Sequence, residues 1–296
     1  MLSRLTNKLS GNTTTTVRAT SLAGRQIIAN DTVARSESIV AENLSEGASL
    51  DSIFIPKQLP ALDASALPNS TYQPSDIAVV NSDSFTCARK VMEKYPEARG
   101  KTAVLNLASD ERPAGGWIAS LSRTQEEALC YSSTLYRTLK ECYYPWPNVG
   151  PGSIAGVFSP GVVIFKDDLD HDCKDLTVED RRVVSVITVA APRWRKLTED
   201  NESFQNPSDI DDLRGKIRLV YRMAARHGQQ YLVLGAMGCG AYGCPPRFVA
   251  EEMKAILLED EFKGWFKKVI FAVYSVRSNG VENYDIFKEI FKGVKV

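Results

Sequence analysis

From residue 77 onward, short apolar runs alternate with longer stretches of helical period, and this alternation constrains the fold more than any other feature. Ile77-Ala78-Val79-Val80, Thr102-Ala103-Val104-Leu105-Asn106-Leu107, residues 156–166, residues 183–190, Tyr231-Leu232-Val233-Leu234 and residues 268–275 read as buried strands. Residues 84–95, 124–142, 209–227, 246–258 and 284–291 read as helices, the second with Leu129, Leu135 and Leu139 on its inner side. Strands that alternate with helices predict an α/β fold: a mixed or largely parallel sheet covered on both faces, in three layers. Upstream, Leu22, Ile27, Ile28, Val33, Ile39, Val40 and Leu44 fall at loosely helical spacing and predict one or two amphipathic helices. A helical piece of that size has too little core to stand alone, so it is read as an N-terminal helical accessory to one domain spanning residues 21–296. Pro56, Pro60, Pro68 and Pro74 predict an irregular segment lying on the surface between the two.

Charge and cysteines narrow the function. The 36 basic and 36 acidic residues cancel, which argues against broad electrostatic adhesion to nucleic acid or membrane. It leaves open a phosphate-bearing ligand, because clustered backbone N–H groups bind anions without net charge. Cys87, Cys130, Cys142, Cys173, Cys239 and Cys244 show no CxxC spacing and are expected to be reduced thiols in an intracellular protein, cytoplasmic or nuclear. With only His171 and His227 present, a Ser-His-Asp or Cys-His engine has little support. A metal site from His171, Asp172 and Cys173 is disfavoured because adjacent residues rarely converge on one ion, and no metal or cofactor is expected. No apolar run approaches the roughly 20 residues that span a bilayer. Residues 1–20 are basic and rich in Ser and Thr, and read as a disordered or targeting extension, with a mitochondrial address as the variant reading.

Two glycine-rich segments follow strands. The first is Ala114-Gly115-Gly116, and the second runs from Gly235 to Gly243. In open α/β sheets ligands collect at the carboxyl ends of strands, where glycine lets the backbone approach a pyrophosphate. Neither segment is the GxGxxG of a first βα turn or a GxxxxGK[ST] loop, which disfavours a dehydrogenase or a P-loop NTPase. The first leads to Gln125-Glu126-Glu127 at a predicted helix start. Neighbouring helical residues point about 100° apart, so one acid can face a ligand while the other braces it. Such a site suits cleavage of a glycosidic bond in a nucleotide-like substrate. Two plainer readings stand beside it: acids in a first turn complement the helix dipole, and Thr124 with Glu127 has the spacing of a capping box. Trp117 and Tyr242 either stack on a base or ribose or fill core.

The segment Val104 to Ser109, the Ala-Gly-Gly turn, Gln125-Glu126-Glu127 with Leu129-Cys130, Ser133-Thr134-Leu135-Tyr136, Ile187 to Pro192 and Leu234 to Pro246 together resemble the microbial-type poly(ADP-ribose) glycohydrolases, a branch of the macrodomain fold. The resemblance runs over roughly residues 21–292. It implies a macrodomain-like three-layer α/β/α sandwich, and hydrolysis of the ribose–ribose O-glycosidic bond of poly(ADP-ribose); nothing in the sequence suggests an obligate partner, so a monomer is expected. It implies that Glu127 is catalytic and that Glu126 orients the substrate ribose, with Gln125 in support. Ala114, Gly115 and Gly116 would hold one side of the diphosphate, and Gly238, Cys239, Gly240, Ala241 and Gly243 its other side, with Tyr242 against the ribose. Asn106 and Ser109 would touch substrate near the scissile ribose. The partners implied are ADP-ribose and poly(ADP-ribose) on modified proteins, with neither membrane nor sequence-specific nucleic acid.

Glu127 is then expected to give a proton to the leaving oxygen and to take one back from water, its pKa raised by burial, Glu126 and the phosphates. The family turn usually has three glycines, and Ala114 replaces the first. A methyl at a position needing positive φ costs about 1 kcal/mol. That substitution leaves slower cleavage, or recognition of ADP-ribose without cleavage, as alternatives, and the same fold also allows hydrolysis of mono-ADP-ribose. Cys244 stands where relatives often carry Asn, and Arg193 follows Ala-Ala-Pro, neither with an assigned role.

Overall fold

The computed structural model describes residues 17–67, 72–276 and 282–296. Most of the expected basic extension, and Pro68 of the proline-rich segment, lie outside these residues. Residues 17–20 form a turn in which Ala19 is buried, its N–H donating to Asp172 Oδ1 at 2.9 Å.

Seven strands form one mixed sheet: β1 (Ile53–Ile55), β2 (Ala78–Val80), β3 (Thr102–Leu107), β4 (Gly156–Ile164), β5 (Arg182–Val189), β6 (Tyr231–Leu234) and β7 (Lys268–Ala272). Their order is β1-β4-β5-β3-β6-β7-β2. β5, β3, β6, β7 and β2 run parallel, whereas β4 is antiparallel to both β5 and β1. The parallel strands β5, β3, β6 and β7 are largely buried on both faces because helices cover each side, whereas β2 at the sheet edge is half-buried. Residues alternate along β3: Ala103 and Leu105 join the core of α5 (Pro207–Arg226), α6 (Pro246–Leu257) and α7 (Asn283–Ile290), while Val104 joins that of α1 (Leu22–Glu42), α2 (Ser84–Lys94), α3 (Trp117–Ser120) and α4 (Gln125–Ser132).

The N-terminal accessory is one continuous helix, α1, capped by Ser21, whose hydroxyl accepts from Gly24 N–H at 2.9 Å. It joins the core rather than standing apart, and the Thr32 hydroxyl donates to the Tyr131 carbonyl on α4 at 2.9 Å. The proline-rich stretch carries only the turn Ala64–Ala66 among its described residues and is held to α5 by Arg222 and Arg226, which donate to the carbonyls of Leu59 and Pro60.

Two expectations need correction. The helix expected over 124–142 stops at Ser132. Ser132 and Ser133 turn their hydroxyls onto the carbonyls of Ala128 and Leu129, and Ser133 then bridges Ile164 where β4 has a free edge. Strand-edge hydrogen bonds win over helix extension there. The three residues of β1 were not foreseen, because a run so short before Pro56 has no readable period.

Candidate active site

The central strands β3, β5 and β6 end on the same side of the sheet, and the loops that follow them build the site. After β3 the chain makes three consecutive left-handed residues, Ala114 (φ 50), Gly115 (φ 59) and Gly116 (φ 80). This conformation brings the Gly115 backbone against both acids of α4. A Cβ at Gly115 would stand 2.9 Å from Glu127 Oε1 and 3.5 Å from Glu126 Oε2. Ala114 points its methyl into the core, where it is fully buried beside Trp117.

Gln125 sets where the acids fall. Its Oε1 accepts from the Leu107 N–H at 2.8 Å and its Nε2 donates to the Leu105 carbonyl at 2.8 Å, which stitches the first residue of α4 to the end of β3. Glu126, buried, accepts from Asn106 Nδ2 at 3.0 Å on Oε1 and from the Ser109 N–H at 2.8 Å on Oε2. Burial pushes its pKa up to about 8, opposed by those two hydrogen bonds and reinforced by Glu127 and Asp110. Glu127 accepts on Oε2 from the Thr124 hydroxyl, while Oε1 faces Gly115. Thr124 occupies the N-cap position of α4 without making a side-chain cap, so its hydroxyl serves the acid and not the helix end.

The loop after β6 forms the opposite wall. Gly238 has φ 75, and a Cβ there would meet Cys244 Sγ at 2.4 Å and Ala191 Cβ at 2.7 Å. Cys244 is buried and its thiol donates to the Pro192 carbonyl at 3.1 Å, so it ties this loop to the segment after β5. On that segment Arg193 pairs with Glu111 at 2.8 Å and Asp110 at 3.5 Å, both on the loop after β3. Its N–H donates to Asn148 Oδ1 at 2.8 Å.

A cavity of about 290 Å³ lies between these walls, lined by Ser109, Gly115, Glu126 and Glu127 on one side and by Gly238, Gly240, Ala241 and Tyr242 on the other. A second, of about 450 Å³, adjoins it across Leu107, Thr124, Gln125, Ala236, Gly240 and Ala241, and extends past Asp83, Asp168 and Tyr274. A narrow acidic chamber that opens into a longer, more apolar one fits an extended ligand with a sugar at one end.

The family model described as the catalytic domain of microbial-type PARG matches residues 17–167. The chain belongs to the microbial-type PARG family. It is similar to the poly(ADP-ribose) glycohydrolase (PARG) of Thermomonospora curvata, with 26% identity and a TM-score of 0.71 over 90% of this chain and 99% of that one. The same enzyme bound to the inhibitor ADP-HPD gives 28% identity at the same TM-score and coverage. The Deinococcus radiodurans PARG in complex with ADP-ribose is 31% identical over 74% of this chain and 84% of that one, with a TM-score of 0.59. A comparison with curated proteins gives no match.

Of the residues singled out from sequence in this PARG, Ser109, Gly115, Gln125, Glu126, Glu127, Gly238, Gly240, Ala241 and Tyr242 line the first cavity. Asn106 stands behind Glu126, fully buried and donating to it and to Thr188. Ala114, Gly116, Cys239 and Gly243 lie outside the lining, within the same two turns. Trp117 is fully buried, edge-on to Tyr131 at 5.1 Å, and so is core. Asp172 and Cys173 are occupied elsewhere, Asp172 with the N–H of Ala19 and Cys173 in the core. Among the described residues the group that draws together is Asp167, Asp168 and His171, where Asp168 Oδ1 already accepts from His171 Nδ1 and the N–H groups of Asp170 and His171.

Sequence reasoning missed Glu111, Ala191, Arg193, Trp194 and Met237 as wall residues, and it missed the second cavity. The signal was available: the rule that ligands gather at strand carboxyl ends applies to the segment after β5 as it does to the glycine loops.

Two predictions arise here. Ala114→Gly relieves about 1 kcal/mol of backbone strain. It also loses about 0.8 kcal/mol of methyl burial and about 0.4–1 kcal/mol to a freer unfolded chain. The expected result is a melting temperature lower by less than about 4 °C, with turnover within about threefold of the parent because the backbone path is already left-handed. Glu126 governs the second. Folded, it keeps its proton to about pH 8, against the 4.5 usual for a glutamate. Between those values the folded state holds the extra proton, so stability falls as pH rises and levels off above about 8. Asp83, pushed up to about 6 by burial, adds to the acid end of the slope. Thermal unfolding from pH 5 to 9 should show the decline, and Glu126→Gln should flatten it above pH 6.

Proposed function

We propose that Glu127 is the proton carrier in the hydrolysis of poly(ADP-ribose), with Glu126 as the residue that positions the ribose. As a microbial-type PARG, the chain cleaves the ribose–ribose bond of the polymer and releases ADP-ribose. The observation that carries the residue assignment is the closeness of the Gly115 turn to both acids at the cavity wall, where an added Cβ would stand 2.9 Å from Glu127 Oε1 and 3.5 Å from Glu126 Oε2. Glu126 has hydrogen-bond donors on both oxygens, whereas Glu127 has Oε1 directed to the glycine turn.

The terminal ribose takes the acidic cavity, and the diphosphate passes between the Gly115 and Gly238 loops. The adenosine takes the larger chamber beyond. Glu127 donates its proton to the leaving 2′-oxygen, the C1″–O bond breaks, and its electron pair stays with that oxygen. The oxocarbenium-like ribose is stabilised by the Glu127 carboxylate that proton transfer leaves and by the diphosphate. Water adds to C1″ and returns its proton to Glu127. Glu126, held from behind by Asn106 and Ser109, is a rigid acceptor for a ribose hydroxyl.

The helices on both sheet faces support a reading of the architecture as a macrodomain-like three-layer sandwich, with residues 21–296 as one catalytic domain that acts as a monomer. All six cysteines are free, which suits an intracellular, cytoplasmic or nuclear setting. Among the described residues no helix is long and apolar enough to cross a membrane. Incubation with polymer, and separately with mono-ADP-ribosylated protein, followed by chromatography of free ADP-ribose, tests the reading. Release from polymer is expected. Release from the mono-modified protein alone would redirect the activity, and release from neither would leave a binding module.

A further inference from the structure

Part of the first cavity's wall is made by Glu111, Arg193 and Trp194, none of which lines the second chamber. Trp194 is 73% exposed, more than any other large apolar side chain among the described residues. Its backbone is left-handed, with φ 51. Its N–H donates to the Tyr242 carbonyl and its indole Nε1 to the Ala241 carbonyl, each at 2.9 Å. The Arg193 guanidinium lies over the ring, 5.6 Å from its centroid, and the Tyr242 ring stands edge-on at 6.3 Å.

A tryptophan stabilises a fold through the area it buries, and this one leaves nearly three quarters of its surface in water. The hydrogen bonds and the guanidinium fix the ring's orientation without filling a core. A strained, rigidly oriented residue beside an active cavity marks a functional constraint. An indole with one face backed by a cation and the other bare is a stacking platform for a nucleobase.

The substrate supplies the base. In the polymer, the oxygen that leaves C1″ is the 2′-oxygen of another adenosine. Since the bound unit runs from the acids into the second chamber, the leaving adenosine is left with the part of the first cavity that the second does not share, where Trp194 stands. A protein side chain as leaving group brings no purine. We propose that Trp194 stacks on the adenine of the leaving unit and so selects polymer over a single ADP-ribose attached to protein. This rests on the assignment of the acidic cavity to the scissile ribose.

The test is calorimetry in the full chain with Glu127→Gln, which keeps the ligand intact, alone and combined with Trp194→Ala or Trp194→Phe. The ligands are ADP-ribose and a two-unit fragment of the polymer. In Glu127→Gln the fragment is expected to bind more tightly than ADP-ribose by roughly 5- to 100-fold. Trp194→Ala should erase that advantage and leave ADP-ribose affinity within about twofold, and Trp194→Phe should keep most of it. The proposal is overturned if the fragment keeps its advantage in Trp194→Ala. It is equally overturned if ADP-ribose weakens as much as the fragment, which would make Trp194 a prop for the glycine loop. Absence of any ADP-ribose binding in Glu127→Gln would overturn the functional reading, and this proposal with it.

Discussion

Gly115→Ala is expected to lower turnover of poly(ADP-ribose) by about a hundredfold or more and to weaken ADP-ribose binding by about tenfold or more. Two effects combine. At φ 59 a side chain costs roughly 1–2 kcal/mol in backbone strain, which should appear as a melting temperature lower by about 3–6 °C. The new Cβ would also stand 2.9 Å from Glu127 Oε1 and 3.5 Å from Glu126 Oε2, so the carboxyls or the turn must move. A displacement near 1 Å at a reacting group costs on the order of a hundredfold in rate. Ala114 is the internal contrast, because its methyl points into the core at a similar φ and leaves the acids untouched. Steady-state rates and ADP-ribose titrations on Gly115→Ala and Ala114→Gly check the pair. Equal effects from both would show that the turn acts through its stability and not through contact with the acids.

Glu127→Gln is expected to be the most damaging single change to chemistry. Glutamine preserves shape and can still accept from the Thr124 hydroxyl, but it cannot deliver a proton to the leaving oxygen or take one from water. Loss of a positioned acid–base group costs about 10²- to 10⁴-fold, and here both halves of the reaction use the same group. ADP-ribose affinity should stay within about threefold, since binding relies on the glycine turns and on Glu126. Glu126→Gln should behave differently. It puts an amide NH₂ where Asn106 Nδ2 or the Ser109 N–H now donates, so ribose orientation suffers and affinity falls with rate.

Sequence reading reached the α/β alternation, the order of the main strands and helices, and most of the cavity, because these follow from local period and from glycine and acid placement. It failed where long-range pairing decides. Ser133 leaves its helix for the edge of β4, and β1 exists only because β4 offers it a partner. The internal partners of Asn106 and Gln125 were hidden for the same reason. As polar residues at a strand end and a helix start they show no local sign of these partners, yet Asn106 Nδ2 donates to Glu126 and Thr188, and the Gln125 amide is tied to the β3 backbone. Arg193 and Trp194 carry no motif, and their relation to the acids arises from the adjacency of β3 and β5 in the sheet.

The central claim is that Glu127 carries the proton while its neighbours hold the substrate. A single-turnover time course of ADP-ribose release, with enzyme in excess over polymer, tests it for the parent and Glu127→Gln at equal concentration. The account predicts rapid release by the parent and, for Glu127→Gln, a rate lower by about a thousandfold with polymer still bound. Release by Glu127→Gln within tenfold of the parent would contradict it.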